Sequence, residues 1–580
     1  MAPQTANIQR KRRACGPKTR TGCFTCKIRR VKCDEAKPAC NRCSSTGRKC
    51  DGFPQDASSS SNDGGSPGIS TKRISTKVPG SAQEKRGFHY FIQQTAPELC
   101  GFYNTGFWES LVLQTSAAEP ALRHSVIAIG AIHEEFAAKR VEQGPGVQSE
   151  GSAFATNQYT KAIGHLRRSL ATGKQKPLTA LMSCILFVCF DSLRGYFESA
   201  MVHLQSGLRI LRDMTRTPDI EHIIDNIISP LFLRLSVQSI LYVDTRDPED
   251  RHNFATELTL VCHTKEGVPE TFETLEEARS CLMEGADGLF RMFYLTDGRK
   301  PMISQPAEAF NMFEKYSAQL RDWNLAYEKF MNSHSHSFSS KQIRGAALLK
   351  IHHMTAYIMA ACTPSIDDFR CMGEAINCPT TFTKFTNEFI TIINLCRSLI
   401  TTAEQDARNG ITPLTFSTDL GLIGPLYYVA GKCRIPQIRE EAVELLGRCP
   451  RREGMWDSVA ASNLVQELWQ VEAQHNALQN GAPNEVSLHV PLHEVLDLVF
   501  YDGGKWEWQW KWQDTAPLSP TRGDFYGVNR VGRLGVEKTQ HVNWVHRLED
   551  QSPFQGTSFM LNDYGLSSSA SPASSYSNMG

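Results

Sequence analysis

Apolar residues recur at helical spacing through most of the chain from about residue 86 onward. Leu122, Val126, Ile129, Ile132 and Phe136 follow one another at steps of three and four, which places them on one helix face. The same spacing returns at Met201, Leu204, Leu208 and Leu211. Few segments alternate with the period of two that is typical of strands. We therefore predict a mainly α protein in which residues 86–500 form a large all-helical domain, or two abutting ones.

One segment of this domain, Ala180–Phe190, is apolar on every side. A helix of that kind is usually the central buried helix of a domain. The run ends at Asp191 and is shorter than the roughly 20 residues that span a bilayer, so we predict no transmembrane helix and no membrane partner.

Two stretches lack such patterns. Residues 54–85 are polar, with Ile69, Ile74 and Val78 as their aliphatic residues, and we predict a flexible, disordered linker. The linker carries no heptads, so a coiled-coil zipper is not expected. Action as a monomer, or as a homodimer through the helical domain, is favoured instead.

The C-terminal residues 501–580 are predicted to be an irregular tail, rich in tryptophan and then in serine. Trp506, Trp508, Trp510 and Trp512 alternate with polar residues, which would place them on one face of a strand. An exposed ribbon and an unstructured insertion are equally good interpretations of this segment. The serine-rich end, 563–580, is predicted to be disordered.

Charge is distributed unevenly along the chain. Residues 1–50 contain fourteen Lys and Arg and two acidic residues, a net charge of +12, whereas the remainder carries −11. A basic segment on an acidic body is typical of nucleic-acid binding, although a solvated basic tail or a localisation signal has the same composition. Residues 1–14 are predicted to be a basic disordered arm without the apolar core of a secretory signal, which indicates an intracellular protein. Within the arm, the candidates for nuclear import are Arg10, Lys11, Arg12 and Arg13.

Six cysteines within residues 23–50 repeat the spacing C-x2-C-x6-C twice. They are Cys23, Cys26, Cys33, Cys40, Cys43 and Cys50. A C-x2-C turn presents two thiolates to one metal ion, and soft thiolates in tetrahedral geometry favour zinc. Six sulfurs can give each of two Zn²⁺ four ligands if two thiolates bridge. Because a segment of this length cannot bury a hydrophobic core of its own, the metal would supply the folding energy.

The residues around these thiols resemble the fungal binuclear zinc cluster (Zn2Cys6) DNA-binding domain, with a match over about residues 15–55, and we predict that domain at 15–53. The match rests on the cysteine spacing, on the basic arm between Cys26 and Cys33, and on Pro38 in the connector. The resemblance implies that Cys23 and Cys40 bridge two zinc ions. It assigns Cys26 and Cys33 to one ion, and Cys43 and Cys50 to the other.

The same resemblance implies which side chains contact DNA. In the family, a basic pair at the positions of Arg29 and Arg30 faces a CGG-like triplet, and arginine can bond guanine bidentately in the major groove. This chain has arginine at both positions, where other members carry lysine. Phosphate contacts are expected from Lys27, Lys32, Arg42, Arg48 and Lys49.

The helical domain resembles the regulatory region attached to many zinc-cluster regulators. The residues that carry this resemblance are Phe91–Leu99, Glu119–Glu134 and His203–Leu211. Within it, the pairs Arg123/His124 and His133/Glu134 are candidates either to line an effector pocket or to cap helices and pair at the edge of a core.

Several enzyme motifs are absent from the sequence, namely the P-loop, G-x-S-x-G, H-E-x-x-H and a strand-following G-x-G-x-x-G. We therefore predict that the protein is not an enzyme. The resemblance implies a nuclear, zinc-dependent, sequence-specific transcription factor of RNA polymerase II genes. It would bind GC-rich double-stranded DNA and the transcription machinery or co-regulators, consistent with a regulator of a metabolic (secondary metabolite) gene cluster. The alternative is a zinc-cluster interaction module or co-regulator without direct DNA contact.

Overall fold

The computed structural model contains two compact units, Met1–Arg73 and Ile74–Gly580, which we call the head and the body. The described residues are 23–50 except 24, 27, 28, 30 and 38; 79–141 except 104 and 105; 150–173; 176–239 except 216; 267–295; 306–362; 379–448; 450–480; and the strand residues 494–495, 499–501, 505–508, 510–512, 525–526 and 530–533.

The head contains a four-residue helix, α1, at Asn41–Ser44. It begins directly after Cys40, and its last turn continues through a tight loop in which Gly47 has a positive φ of 63°. Glycine adopts that backbone region without steric cost, which suits it to the end of a short helix.

The amino-terminal part of the body is a succession of helices, and its described residues include three π-helical turns next to them. In chain order the elements are α2 (Ala82–Tyr90), a π-helical turn (Phe91–Thr95), α3 (Ala96–Cys100), a π-helical turn (Phe107–Leu111), α4 (Val112–Ala118), α5 (Pro120–Val141), α6 (Glu150–Ala171), α7 (Pro177–Arg194), α8 (Phe197–Asp213), α9 (Pro218–Ile223), a π-helical turn (Ile224–Ile228) and α10 (Ser229–Ser239).

The carboxyl-terminal part continues with helices and three short strands. The elements are α11 (Leu275–Leu295), α12 (Pro306–His334), a 3-10 turn (Ser335–Ser337), α13 (Ser340–Ala361), α14 (Pro379–Thr383), α15 (Thr386–Arg408), β1 (Phe416–Ser417), α16 (Ile423–Lys432), α17 (Pro436–Arg448), β2 (Arg452–Glu453), β3 (Trp456–Asp457) and α18 (Ser458–Asn480).

Local sequence explains where several helices begin and end. At the start of α2, the Ser81 hydroxyl accepts from the Glu84 amide while the Glu84 carboxylate accepts from the Ser81 amide, which is a capping box. Ser339 and Gln342 form the same arrangement before α13. Because the box at Ser81 starts α2 at Ala82, the helical body begins inside the stretch that we predicted as linker, 54–85.

Among the described residues of the body, two hydrophobic clusters form the interior. One surrounds α7 and includes Trp108, Phe190 and Phe232, and the other lies among α11–α17 and includes Trp323 and Phe389. Helix α7 is long and apolar enough to cross a bilayer, but 83% of it is buried within the body. This confirms the central buried helix predicted from the run at Ala180–Phe190.

A small sheet joins distant parts of the body. Strand β1 pairs with β2 in parallel, and β2 pairs with β3 in antiparallel orientation. Strand β1 lies in the segment Thr415–Ile423, which we call the junction segment. Its residues bond to side chains of two helices of the amino-terminal part: Glu98 of α3 accepts from the amides of Thr415 and Phe416, and Gln238 of α10 donates to the carbonyl of Thr418 at 2.6 Å.

Buried charges hold the middle of the junction segment. Asp419 lies between two arginines that are 3% exposed, at 3.0 Å from Arg234 and 2.6 Å from Arg279. The Glu453 carboxylate accepts the amides of Gly421, Leu422 and Ile423 at 2.9–3.1 Å, which caps the start of α16. Burial of these charges is tolerable because each faces an opposite charge or several amide donors.

Further strands follow in the C-terminal region: β4 (Glu494–Val495), β5 (Val499–Tyr501), β6 (Lys505–Trp508), β7 (Trp510–Trp512), β8 (Phe525–Tyr526) and β9 (Arg530–Arg533). They form two antiparallel sheets, ordered β4-β7-β8 and β5-β6-β9. Strands therefore occur within the region predicted as an irregular tail, and of the two interpretations given above for the tryptophan segment the structure agrees with the strand. The four tryptophans are divided between β6 and β7, which belong to different sheets.

Two glycines allow α2 and α5 to approach closely. A Cβ added at Gly130 would overlap the carbonyl oxygen of Gly87 on the facing helix. We expect Gly130→Ala to lower the free energy of unfolding by about 1–3 kcal/mol, because the helices would have to separate. Gly164→Ala, within α6, is the matched control, because its new Cβ meets nothing within 4 Å. This change should raise the free energy of unfolding by about 0.5–1 kcal/mol. Urea midpoints that move in the same direction for both variants would contradict this.

Candidate metal centre

Four of the predicted metal-ligating thiols lie in one compact group. The sulfur of Cys23 is 3.5 Å from that of Cys40 and 3.8 Å from that of Cys43. The sulfur of Cys26 is 3.7 Å from Cys40 and 3.8 Å from Cys43. A tetrahedral zinc site with Zn–S bonds of 2.3 Å has sulfur–sulfur edges of about 3.8 Å. The thiol spacing therefore fits zinc coordination.

The other two cysteines join the same group. The Cys33 sulfur accepts the amides of Cys23 and Glu35, each at 3.4 Å, and the Cys50 thiol is a hydrogen-bond partner of Cys23. Five of the six cysteines are buried and Cys50 is half-buried. All six thiols therefore lie in one group, and the sequence prediction that the repeat converges on one centre agrees with this arrangement.

Burial and hydrogen bonds together shift the pKa values of Cys26 and Cys33 in opposite directions. Burial, followed by the neighbouring thiols of Cys23 and Cys40, raises the pKa of Cys26 well above its ordinary value. At Cys33 burial acts in the same direction, but the amides of Cys23 and Glu35 outweigh it and lower the pKa. A buried group of mutually close sulfurs ionises readily only next to a cation, which is what a divalent zinc ion supplies.

The carboxylate of Asp34 connects the two halves of the head. Its two oxygens accept the amides of Asn41 and Arg42 at 2.9 and 3.0 Å, at the start of α1. These amides, that of Arg42 first, lower the pKa of Asp34 below its usual value. The residue that follows Cys33 therefore caps the helix that carries Cys43.

Basic side chains surround this centre. Lys32, Arg42, Arg48 and Lys49, all predicted to contact phosphates, are exposed. Exposed cations on a rigid small unit provide the electrostatic attraction that a nucleic-acid backbone requires. The predicted residues Lys27 and Arg30, the connector Pro38, and the import candidates Arg10–Arg13 lie outside the described residues.

Arg29, predicted to contact a base, has an internal partner. It is half-buried, and its Nη1 donates to the hydroxyl of Thr46 at 3.3 Å. A second link between the halves runs from the Thr25 hydroxyl to the carbonyl of Lys49 at 3.4 Å. The arm after Cys26 is thus attached to the loop after Cys43.

The candidate effector residues of the body bind other side chains. His133 is fully buried and lies 3.0 Å from the hydroxyl of Thr95, and Glu134 forms an ion pair with Arg86 at 2.9 Å. His124 bonds to Gln158 at 2.7 Å. Of the two interpretations given above, pairing at the edge of a core is the one that these contacts support.

Two residues of the head were missed in the sequence analysis, namely Asp34 as a helix cap and Thr46 as a partner of Arg29. A cap is usually sought directly before a helix, whereas Asp34 precedes α1 by seven residues. The hydroxyl of Thr46 also bonds the carbonyls of Arg42 and Cys43, a local pattern that is common for threonine, but its contact with Arg29 depends on the folded connector.

Comparison with protein families gives two matches. The family described as the fungal Zn(2)-Cys(6) binuclear cluster domain matches residues 21–60. The family described as the fungal specific transcription factor domain matches residues 86–245, which covers α2–α10 apart from the first residues of α2. The first match contains all six cysteines, and a domain of this type binds two zinc ions.

Curated relatives are transcription regulators. The aspercryptin biosynthesis cluster-specific transcription regulator of Emericella nidulans is 26% identical over 83% of this chain and 93% of its own length. The transcription regulator lscL of Purpureocillium lilacinum is 26% identical over 34% of this chain and 49% of its own length. The transcriptional regulatory protein moc3 of Schizosaccharomyces pombe is 55% identical over 40 residues, 7% of this chain and 8% of its own length. No solved structure matches this chain.

Proposed function

Because the chain combines a fungal Zn(2)-Cys(6) binuclear cluster domain with a fungal specific transcription factor domain, we propose that it is a zinc-dependent, sequence-specific DNA-binding transcription factor. The observation that carries this proposal is a group of six thiols, five of them buried, on a unit that also carries exposed cations. Buried thiolates hold the metal, and the cations give the same unit an attraction for phosphates.

In the proposed head, Cys23 and Cys40 would each ligate both of two zinc ions. Cys26 and Cys33 would complete one ion, and Cys43 and Cys50 would complete the other. The 3.5 Å separation of the Cys23 and Cys40 sulfurs is what two thiolates shared by the same pair of ions would have, and it supports the bridging role. When bound, the two ions supply folding energy to a unit too small to fold on hydrophobic burial alone.

The arm between Cys26 and Cys33 enters the major groove over a CGG-like triplet, where Arg30 bonds guanine. Lys27, Lys32, Arg42, Arg48 and Lys49 contact phosphates, and these contacts orient the head without specifying sequence. The affinity should therefore fall steeply as the salt concentration rises.

The body regulates the head through co-regulators or the transcription machinery, and it is the surface through which two copies would form a homodimer. Nuclear localisation, with import through Arg10–Arg13, follows from action on RNA polymerase II genes. The similarity to a regulator named for a biosynthesis cluster supports the proposal that this chain also controls a metabolic gene cluster.

Selection of binding sites tests this function. The zinc-loaded full chain is incubated with random duplex DNA, and the selection is repeated after chelation. Enrichment of a CGG-like triplet that disappears on chelation would support DNA recognition, and one triplet or two would report the number of heads bound. Failure to enrich any sequence while two zinc ions remain bound would contradict it and favour the interaction-module alternative.

Substitutions of Arg30 and Arg48 should differ in their effects on DNA binding. Arg30→Ala is expected to cost about 1–3 kcal/mol on the selected site and to relax specificity, because it removes a base contact. Arg48→Ala should weaken binding to all sequences alike, because it removes a phosphate contact. The slope of log affinity against log salt concentration, which we call the salt slope, should fall in magnitude by about 1. Both are measured by fluorescence anisotropy on specific and random duplexes. Equal losses of Arg30→Ala on the two duplexes would refute base recognition by Arg30.

A further inference from the structure

Arg29 differs from the other described cations predicted to contact DNA. Those side chains are exposed, whereas Arg29 is half-buried and directs Nη1 toward the Thr46 hydroxyl at 3.3 Å. Its backbone amide also donates to the carbonyl of Thr25, which places Arg29 at the end of the turn that begins at Thr25. Arg29 therefore links the arm between Cys26 and Cys33 to the second half of the head.

Thr46 is itself well fixed. Its hydroxyl lies 3.0 Å from the carbonyls of both Arg42 and Cys43, and its amide donates to the Cys43 carbonyl at 3.1 Å. Since Cys43 belongs to the thiol group, the position of the Thr46 oxygen follows from the geometry of the metal centre. A hydrogen bond from Arg29 to this oxygen therefore fixes where the arm lies relative to the metal centre.

We propose that Arg29 is a positioning residue that fixes the arm between Cys26 and Cys33 through Thr46, so that the arm meets the bases in one orientation. The inference rests on the proposed function and divides the roles of the arginine pair. Bidentate readout of guanine tolerates little displacement of the donor, and a recognition group held before binding loses less entropy on binding. Arg29 thus contributes to specificity without itself contacting a base.

The test uses the zinc-loaded full chain and the DNA site selected by the wild type. Thr46→Val removes the acceptor but leaves every charge in place, and Thr46→Ser restores the hydroxyl. Arg29→Ala removes the donor, and the double variant measures whether the two act together. Ser44→Ala is the matched control, because the Ser44 hydroxyl also bonds a carbonyl of this helix region, that of Cys40, at 3.3 Å.

We expect Thr46→Val and Arg29→Ala each to lower the affinity for the selected site by about 3- to 10-fold, as for loss of one hydrogen bond. The double variant should bind no more weakly than Arg29→Ala, and Thr46→Ser should bind as the wild type does. Discrimination against a site with one changed base should decrease in both single variants. The salt slope should stay unchanged, because no phosphate contact is lost. Ser44→Ala should bind normally.

Three results would overturn the inference. Wild-type affinity in Thr46→Val with a loss in Arg29→Ala would mean that Arg29 contacts DNA directly, as would a salt slope lowered by about 0.9 in Arg29→Ala. Loss of zinc from Thr46→Val would mean that the hydroxyl stabilises the metal centre instead. Failure of the zinc-loaded wild type to bind any DNA would refute the proposed function itself, and the wild-type measurement separates that outcome from the other two.

Discussion

Cys40→Ala should release both zinc ions and unfold the head, because the proposed Cys40 thiolate is shared by the two ions. Cys50→Ala should release one ion, since Cys50 is assigned to a single ion and is the half-buried member of the group. Structural zinc contributes about 10–16 kcal/mol in small zinc domains, which exceeds what so short a segment can gain by burial. No other substitution in the head is expected to have a larger effect.

The measurement is the zinc content of the purified full chain by atomic absorption, together with the rate at which a protease cleaves within residues 23–50. Cys15→Ala is the control, because Cys15 lies outside the repeated spacing and should leave both ions bound. A Cys40→Ala protein that retains two zinc ions would refute the bridging assignment. Equal zinc loss in the Cys40 and Cys50 variants would show that the ions bind only as a pair.

In the body, the largest effect is expected from Asp419→Ala. Asp419 is the carboxylate between Arg234 and Arg279, both 3% exposed, and its removal leaves two buried guanidinium groups facing each other. Breaking a buried ion pair by deleting one partner costs about 3–5 kcal/mol. Burial and the nearby Arg279 already lower the pKa of Arg234 to about 10, and loss of Asp419 should lower it further.

The urea midpoint of the full chain, followed by tryptophan fluorescence, measures this change. The matched control is Asp213→Ala, because Asp213 forms an ion pair with the adjacent Arg212 but its side chain is 63% exposed. Exposed pairs contribute less than about 1 kcal/mol, so the control midpoint should hardly move. Similar shifts in the two variants would show that the junction segment does not depend on its buried charges.

Much of the head could be predicted because its metal ligands lie close together along the sequence. Six thiols at duplicated spacing specify a metal centre whatever the remaining residues are, and the sulfur distances of 3.5–3.8 Å agree with that prediction. The bond of Arg29 to Thr46 and the cap by Asp34 were not predictable, since each joins residues that approach only after the connector has folded.

In the body, the sequence determined which segments are helical and that α7 is central, because hydrophobic periodicity is read within a single turn or two of helix. Tertiary structure alone decided that Glu98, Arg234 and Arg279 meet the junction segment, across separations of 140 or more residues. A buried charge is stable only beside its partner, and a partner far along the chain leaves no periodic signal. The sequence therefore determined the elements and the metal chemistry, and packing decided which polar side chains meet.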